Sequence, residues 1–417
     1  MSHYKPYPAY KDSGVEWLGR VPEHWTIGPY KATIQIENGA DYKEVEADDG
    51  YPVIGSGGPF AFSSKLMYDG ESVLLGRKGT IDKPLYVNGA FWAVDTMYWS
   101  IIKPGAHGRF AYYIATTIPF DMYSTNTALP SMTKSVLGSH VVAFPGFEEQ
   151  EAIADHLDRE TARIDSLIEK KTRFIELLRE KRQALITHVV TKGLDPNVKM
   201  KDSGVEWLGE VPEHWEVRSV SSVSTKITNG YVGPTRDILV EEGVRYLQSL
   251  HIKGNQIKFD VPYFVTEEWS NQHRKSILET GDVLIVQTGD IGQVTVVTDE
   301  FAGCNCHALI IVAPERSIIA GEWMSWVFNS SYGYHTLLSI QTGAMHPHLN
   351  CGNVKGVFLP VPPLTEQREI MKHIEHEERR VAALVGKTER SIELLKERRS
   401  ALITAAVTGL IDLREAV

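Results

Sequence analysis

The sequence predicts an α/β (α+β) protein in which two globular domains are separated by a pair of long antiparallel coiled-coil helices, with an internal pseudo-two-fold repeat. Three observations carry this expectation. The chain has 417 residues, too many for one ordinary core, so two domains are expected. The block KDSGVEWLGRVPEHW, Lys11 to Trp25, returns as KDSGVEWLGEVPEHW, Lys201 to Trp215, and only Arg20 against Glu210 differs. A second block, from Glu149-Gln150 to Ala184-Leu185-Ile186-Thr187, returns from Glu366-Gln367 to Ala401-Leu402-Ile403-Thr404. The stretches between the blocks differ in length and share no convincing similarity. Two constant frames therefore carry two different inserts.

The second block reads as a long helix. Its apolar positions Ile153, Leu157, Ile164, Leu167, Ile168, Ile175, Leu178 and Leu185 are matched by Ile370, Ile374, Val381, Leu384, Val385, Ile392, Leu395 and Leu402. Spacings of three, four and seven put them on one face, with Arg, Lys and Glu between. Neither copy contains Pro, Pro145 and Pro362-Pro363 lie just upstream, and Gly193 and Gly409 follow as stop signals. Each helix should span about 40 residues, on the order of 60 Å. A one-sided apolar stripe of that length needs a partner, and the other copy has the matching length. Helix pairing is expected through Ile164, Ile168, Ile175, Leu178 and Leu185 against Val381, Val385, Ile392, Leu395 and Leu402.

The boundaries that follow are 1–147 for the first globular domain, 148–195 for the first long helix, 196–363 for the second domain, and 364–417 for the second helix and tail. Both helices end in an echo, Gly193-Leu194 and Gly409-Leu410. If the halves are related by a pseudo-two-fold axis, residues near Leu410 lie beside residues near Lys11. The inserts, roughly 26–147 and 216–363, read as mixed α/β with strands predominating. Runs such as Val73-Leu74-Leu75 and Val283-Leu284-Ile285-Val286 are bounded by Gly, Asn and Asp. One helix is expected near Phe110–Thr117 and a counterpart near Glu322–Asn329.

The 42% hydrophobic and 23% charged fractions are those of a soluble globular protein. No apolar run approaches the roughly 18–20 residues of a membrane span, and the opening residues lack the pattern of a signal peptide. Three cysteines in so long a chain point to a reducing cytosol, hence a cytoplasmic location. The formal charge of −10 is awkward for a nucleic-acid binder. Either the basic residues are spatially sorted, or a partner supplies much of the positive surface.

Motifs for chemistry are mostly missing. No glycine-rich cofactor loop or Asn/Asp-Pro-Pro-aromatic methyltransferase motif occurs. Gly386-Lys387-Thr388 has the tail of a phosphate-binding loop, but Val381 stands where the first glycine belongs, inside the helical repeat. Cys304, Cys306, His307, His346, His348 and Cys351 lack the usual zinc spacing and have no counterpart in the first insert, so packed cysteines are expected and no metal. No catalytic residue is assigned.

Candidate DNA contacts fall in the inserts. Arg77 and Lys78, followed by Thr80, sit on a strand-end turn between Gly76 and Gly79. Arg takes guanine bidentately and Lys more often meets phosphate. The analogous place in the second insert is Gln287 and Thr288, where Gln suits adenine. A polar loop before each long helix offers Thr125, Asn126, Thr127, Ser131, Thr133 and Lys134 in one half, and Gln341, Thr342, His346, His348 and Asn350 in the other. Gln248, Ser249, His251 and Lys253 form a lesser group. An ordinary surface loop is the competing reading for each. Trp17, Trp25, Trp207 and Trp215 belong to the constant frame and are read as packing anchors.

Three elements together carry a family resemblance that covers essentially the whole chain. They are VEWLGRVPEHW and its repeat, Gly76-Arg77-Lys78-Gly79-Thr80 after a strand, and PGFEEQEAIADHLDRETARIDSLIEKK with its partner PPLTEQREIMKHIEHEERRVAALVGKT. In this the chain resembles the specificity subunits of type I restriction–modification enzymes. The resemblance implies two target-recognition domains, each reading one half of an asymmetric bipartite site in double-stranded DNA. It implies that the helices set the unread gap and dock two methyltransferase (modification) subunits. It also implies ATP-dependent restriction/translocase subunits, with S-adenosylmethionine, ATP and Mg carried by the partners and none by this chain. A stand-alone bipartite DNA-binding protein and a coiled-coil scaffold without DNA binding are the alternatives.

Overall fold

The computed structural model describes residues 4–123, 131–343 and 345–414. The chain forms two compact units, Met1–Thr172 with Glu389–Val417, and Arg173–Thr388. Each long helix contributes to both units.

Each unit contains the same hairpin from the first repeated block. Tyr10–Asp12 pairs antiparallel with Arg20–Pro22 in unit 1, and Met200–Asp202 with Glu210–Pro212 in unit 2. The block ends on Trp25 or Trp215, both fully buried. Trp17 and Trp207, by contrast, are 39% and 63% exposed. The second tryptophan of each pair is therefore the anchor inside the core, while the first lies at the surface, Trp17 with one face stacked on His140. The turn that carries Trp17 and Trp207 buries the next residue instead, Leu18 or Leu208.

In unit 1 the insert builds a seven-stranded sheet from β1 (Ile34–Asn38), β2 (Glu46–Ala47), β3 (Tyr51–Gly55), β4 (Gly58–Ser63), β5 (Tyr68–Gly76), β6 (Leu85–Ala93) and β7 (Met97–Ile102). The order is β1-β7-β5-β6-β3-β4-β2, antiparallel except where β6 runs parallel to β3. Helix α1 (Gly108–Ala115) buries Phe110, Ala111, Tyr113 and Ile114 in the unit 1 core. The first long helix, α2 (Phe147–Lys192, 46 residues), follows.

In unit 2 the insert contributes β8 (Ser224–Asn229), β9 (Val244–Leu247), β10 (Val283–Val286), β11 (Val294–Val296), β12 (Asn305–Cys306) and β13 (Leu309–Pro314). The order β8-β13-β10-β11 repeats β1-β7-β5-β6, and β9 runs parallel to β12 as β3 does to β6. Helix α3 (Gly321–Asn329) takes the place of α1, and α4 (Leu364–Val407, 44 residues) is the second long helix. The two inserts thus share a strand order that their sequences do not display. Both short helices begin within two residues of the expected positions.

The Glu-Gln pair that opens each long helix explains why the two repeated blocks are constant together. Glu149 accepts the Trp25 indole N–H at 3.1 Å and meets His24 Nε2 at 2.8 Å. Glu366 does the same with Trp215 at 3.0 Å and His214 at 2.8 Å. Gln150 Oε1 accepts the His107 N–H at 2.9 Å, and its Nε2 donates to the carbonyls of Pro145 and Gly105 at 2.8 and 3.2 Å. Gln367 binds Ala320 N, Pro362 O and Ile318 O at 2.9, 2.8 and 3.0 Å. Each glutamine thus ties the segment before α1 or α3 to the segment before the long helix through three main-chain hydrogen bonds.

Within each unit the long helices run antiparallel. In unit 1, Ile153 and Leu157 near the start of α2 share a core with Leu402, Ile403 and Val407 near the end of α4, and Arg399 Nε meets Asp165 at 2.9 Å. In unit 2, Arg182 makes a two-point ion pair with Glu378. Of the expected seam, Ile164, Ile175, Leu178 and Leu402 are buried, while Ile168, Leu185, Val381, Val385, Ile392 and Leu395 are half-buried. Leu167 and Leu384 are exposed, because a two-helix seam covers a narrower strip than the apolar face.

Helix α4 is followed by Gly409, whose φ of +72° suits a left-handed stop. A Cβ there would lie 2.3 Å from Pro22 Cδ. Lys5 bridges Asp412, and the Tyr10 hydroxyl donates to Leu410 O at 3.4 Å, so the tail lies beside the first repeated block as expected.

Candidate nucleic-acid interface

Strand β5 stops at Gly76 because the chain turns back on itself there. A Cβ at Gly76 would sit 2.4 Å from Thr80 O, and Gly79 holds a φ of +81°. The Arg77 N–H donates to Thr96 O at 2.9 Å, and its Nη1 donates to Asp95 O at 3.3 Å. The guanidinium lies 5.9 Å from the centre of the Tyr98 ring. Lys78 and Thr80 are exposed. Lys78 bridges Ser131, and Met132 N–H donates to Arg77 O at 3.0 Å. Candidates more than fifty positions apart in sequence thus meet at one sheet end.

Thr133 caps the helix Lys134–Ser139 by accepting the Val136 N–H at 3.3 Å. Lys134 is exposed, 4.0 Å from Glu37. Thr125, Asn126 and Thr127 lie outside the described residues.

Unit 2 repeats the construction. Leu349 N–H donates to Gln287 O at 2.9 Å, Thr288 bridges His348, and Gly289 holds a φ of +84°. Thr342 and His348 exchange main-chain hydrogen bonds of 2.9 Å in both directions. Gln341 is half-buried and His346 exposed. Asn350 caps the helix Cys351–Lys355, its side-chain carbonyl accepting the Asn353 N–H at 2.8 Å. The Gln287 side-chain oxygen is buried without a hydrogen-bond partner.

The lesser group divides. His251 is fully buried, contrary to its reading as a contact residue. Its Nδ1 accepts the Gln248 N–H at 2.8 Å and its Nε2 donates to Val261 O at 2.8 Å, which fixes the tautomer. Burial pushes its pKa below the ordinary histidine value. Gln248 and Ser249 are half-buried, and Gln248 caps the short turn that ends on His251. Lys253 is exposed, next to Gly254, whose N–H donates to Gln293 Oε1 at 3.2 Å.

Sequence reasoning missed one segment of each rim, the Asn-Gly that ends β1 and β8. Gly39 N–H donates to Met97 O at 3.0 Å, and Gly230 N–H to Leu309 O at 2.7 Å. A Cβ would lie 2.0 Å from Val94 O at Gly39 and 2.7 Å from Cys306 O at Gly230. The Asn-Gly pair after a strand in both inserts is the signal that could have found it. In unit 2 the next residue, Tyr231, packs edge-on to Trp269 and His273, which stack at 3.9 Å.

Cys304 and Cys306 are buried, and desolvation raises both thiol pKa values, that of Cys304 to about 11. The Cys351 thiol donates to Asn229 at 2.9 Å. Among the described residues no cluster of three or more His, Cys, Asp or Glu is placed to hold a metal ion. No helix among them is long and apolar enough to cross a membrane.

Comparison with known proteins adds the family. A model of the type I restriction modification DNA specificity domain matches twice, over residues 22–177 and 212–394. The EcoBI specificity subunit of Escherichia coli is 21% identical over 389 residues, covering 87% of this chain and 81% of its own length. The StySPI specificity subunit of Salmonella potsdam is 20% identical over 399 residues, covering 86% and 82%. Among solved structures, a chain from a study of complex assembly and conformational transition of the type I R-M system superposes with a TM-score of 0.71. It is 16% identical, over 93% of this chain and 98% of that one. The HsdS subunit from Thermoanaerobacter tengcongensis gives 0.54 at 16% identity, over 94% and 98%. These two structures carry the fold alone, whereas the family model matches most of the length in two copies. The chain therefore belongs to the type I restriction–modification DNA specificity family, with one specificity domain in each half.

Proposed function

We propose that this chain is the sequence-reading specificity subunit of a type I restriction–modification complex, each unit reading one half of an asymmetric bipartite site in duplex DNA. The observation that carries the reading is the duplicated rim. Both units present a strand-end turn bridged to the loop before the long helix, on matching backbone, with different side chains. Matching frames suit two half-sites, and unlike rims suit unlike half-sites.

In this reading the long helices set the gap and dock two methyltransferase subunits. Methylation chemistry with S-adenosylmethionine belongs to those partners, and ATP and Mg belong to restriction/translocase subunits. The complex works in the cytoplasm. The net charge of −10 favours partner-dependent over solitary DNA binding, since phosphate contacts need positive surface. The test is to co-express the full chain with its methyltransferase partner and map methylated adenines. Methylation at one two-part sequence with a fixed gap is expected. An assembled complex that methylates no defined sequence would leave the scaffold reading instead.

A further inference from the structure

The two rims set different side chains on equivalent backbone. Arg77 and Gln287 each follow the last residue of a central strand, and each offers its carbonyl to the loop before the long helix, at 3.0 and 2.9 Å. The next residue of each makes the isolated bridge, and the one after is a glycine at φ +81° or +84°. Backbone register therefore matches residue for residue.

Neither side chain is committed to the fold as its neighbours are. Thr133 and Asn350 cap helices, and His251 is buried with both ring nitrogens bonded. Arg77 rests over the Tyr98 ring with one N–H on Asp95 O, a support that steadies the guanidinium while most of its five donors remain. Gln287 has a side-chain oxygen with no donor, so swinging that amide outward breaks no hydrogen bond to its carbonyl.

We propose that Arg77 and Gln287 are the matching base-discriminating residues of the two half-sites, Arg77 reading a guanine and Gln287 an adenine. This rests on the DNA-reading function proposed above. Guanine presents two acceptors, O6 and N7, which suit a group with donors only. Adenine presents the N7 acceptor beside the N6 amine, which suits an amide. The N6 amine also supplies the donor that the Gln287 oxygen lacks.

The test maps methylation by the full chain co-expressed with its methyltransferase partner, as wild type, Arg77→Gln and Gln287→Arg. Arg77→Gln is expected to weaken the preference for one guanine in one half-site by roughly tenfold to a hundredfold, with the other half unchanged. Gln287→Arg is expected to lose one adenine in the opposite half. An unchanged motif in either assembled variant overturns the assignment while leaving the DNA-reading function standing. A wild-type complex with no bipartite motif overturns that function and the assignment with it. If either variant gives no methylation, selection of randomised duplexes by its assembled complex reads the same preference from binding. Loss of the guanine or adenine preference then supports the assignment, and full preference overturns it.

Discussion

Compared position by position, units 1 and 2 agree in the frame that opens each long helix and diverge at the rims. Glu149 and Glu366 hold the same indole and imidazole at matching distances, and Gln150 and Gln367 bind three matching main-chain groups. At the rims Arg77 stands against Gln287, Lys78 against Thr288 and Ser131 against His348. Packing tolerates few solutions, because a buried polar group without its partner is costly. An exposed turn fixed by glycines and main-chain bonds tolerates many. The difference teaches that this fold separates what holds the rim in place from what the rim displays.

The strongest way to break that comparison is to remove a buried anchor from one unit at a time. Trp25→Ala and Trp215→Ala should each cost about 3–5 kcal/mol. Urea unfolding should show equal losses, and a marked inequality would mean that the frames are not energetically equivalent.

An acid titration separates the units next. In unit 1, His140 O accepts the Tyr30 N–H at 2.7 Å, and the same place in unit 2 is Val357, which accepts from Val220 at 2.8 Å. His140 is buried, stacked on Trp17 at 4.7 Å, and desolvation lowers its pKa to about 4. Its folded pKa lies below the unfolded one, so its contribution is complete above about pH 6.5 and is lost as pH falls toward 4. The loss should reach at most about 3 kcal/mol, borne by unit 1. Thermal unfolding of His140→Val between pH 7 and 4.5 should show a shallower decline than wild type, and an identical slope would refute this account.

Gln150→Leu and Gln367→Leu should each cost about 2 kcal/mol, since main-chain partners are left unpaired. Hydrogen exchange at the His107 and Ala320 amides should quicken in step. The smallest effect sharpens a real asymmetry. Arg182 grips Glu378 at two points where both side chains are mostly shielded, whereas Asp165, the partner of Arg399, is half exposed. Arg182→Ala should cost about 1 kcal/mol and Arg399→Ala about 0.5, measurable as a difference in urea midpoints.

Much of the frame was legible in sequence because periodicity and repetition report burial directly. Ile153, Leu157 and their partners mark one face of α2, and Gly193 and Gly409 mark where the long helices stop. The strand order common to the inserts was not legible, although their matching turns, polar loops and short helices were paired by position along the chain. It rests on main-chain bonds and on glycines such as Gly39, Gly230, Gly79 and Gly289, which leave no shared side-chain pattern. Trp17 and Trp25 look alike as letters, and only the turn that buries Leu18 separates them. His251 looked like a contact group because nothing in its neighbourhood announces that Val261 O and Gln248 N take both nitrogens. The polar loops were matched to each other by order along the chain, and two of their residues, Thr133 and Asn350, turn out to be helix caps.

The bridge between Lys5 and Asp412 has a consequence for synthesis. Unit 2 is one unbroken stretch of chain, complete once Thr388 has left the ribosome. Unit 1 is made first and finished last, because Leu402, Ile403, Val407, Ile411 and Leu413 belong to the core around Trp25. Until those residues emerge, the amino-terminal core lacks one wall and leaves apolar surface uncovered. The unit whose synthesis starts first is therefore the last to have all of its core residues.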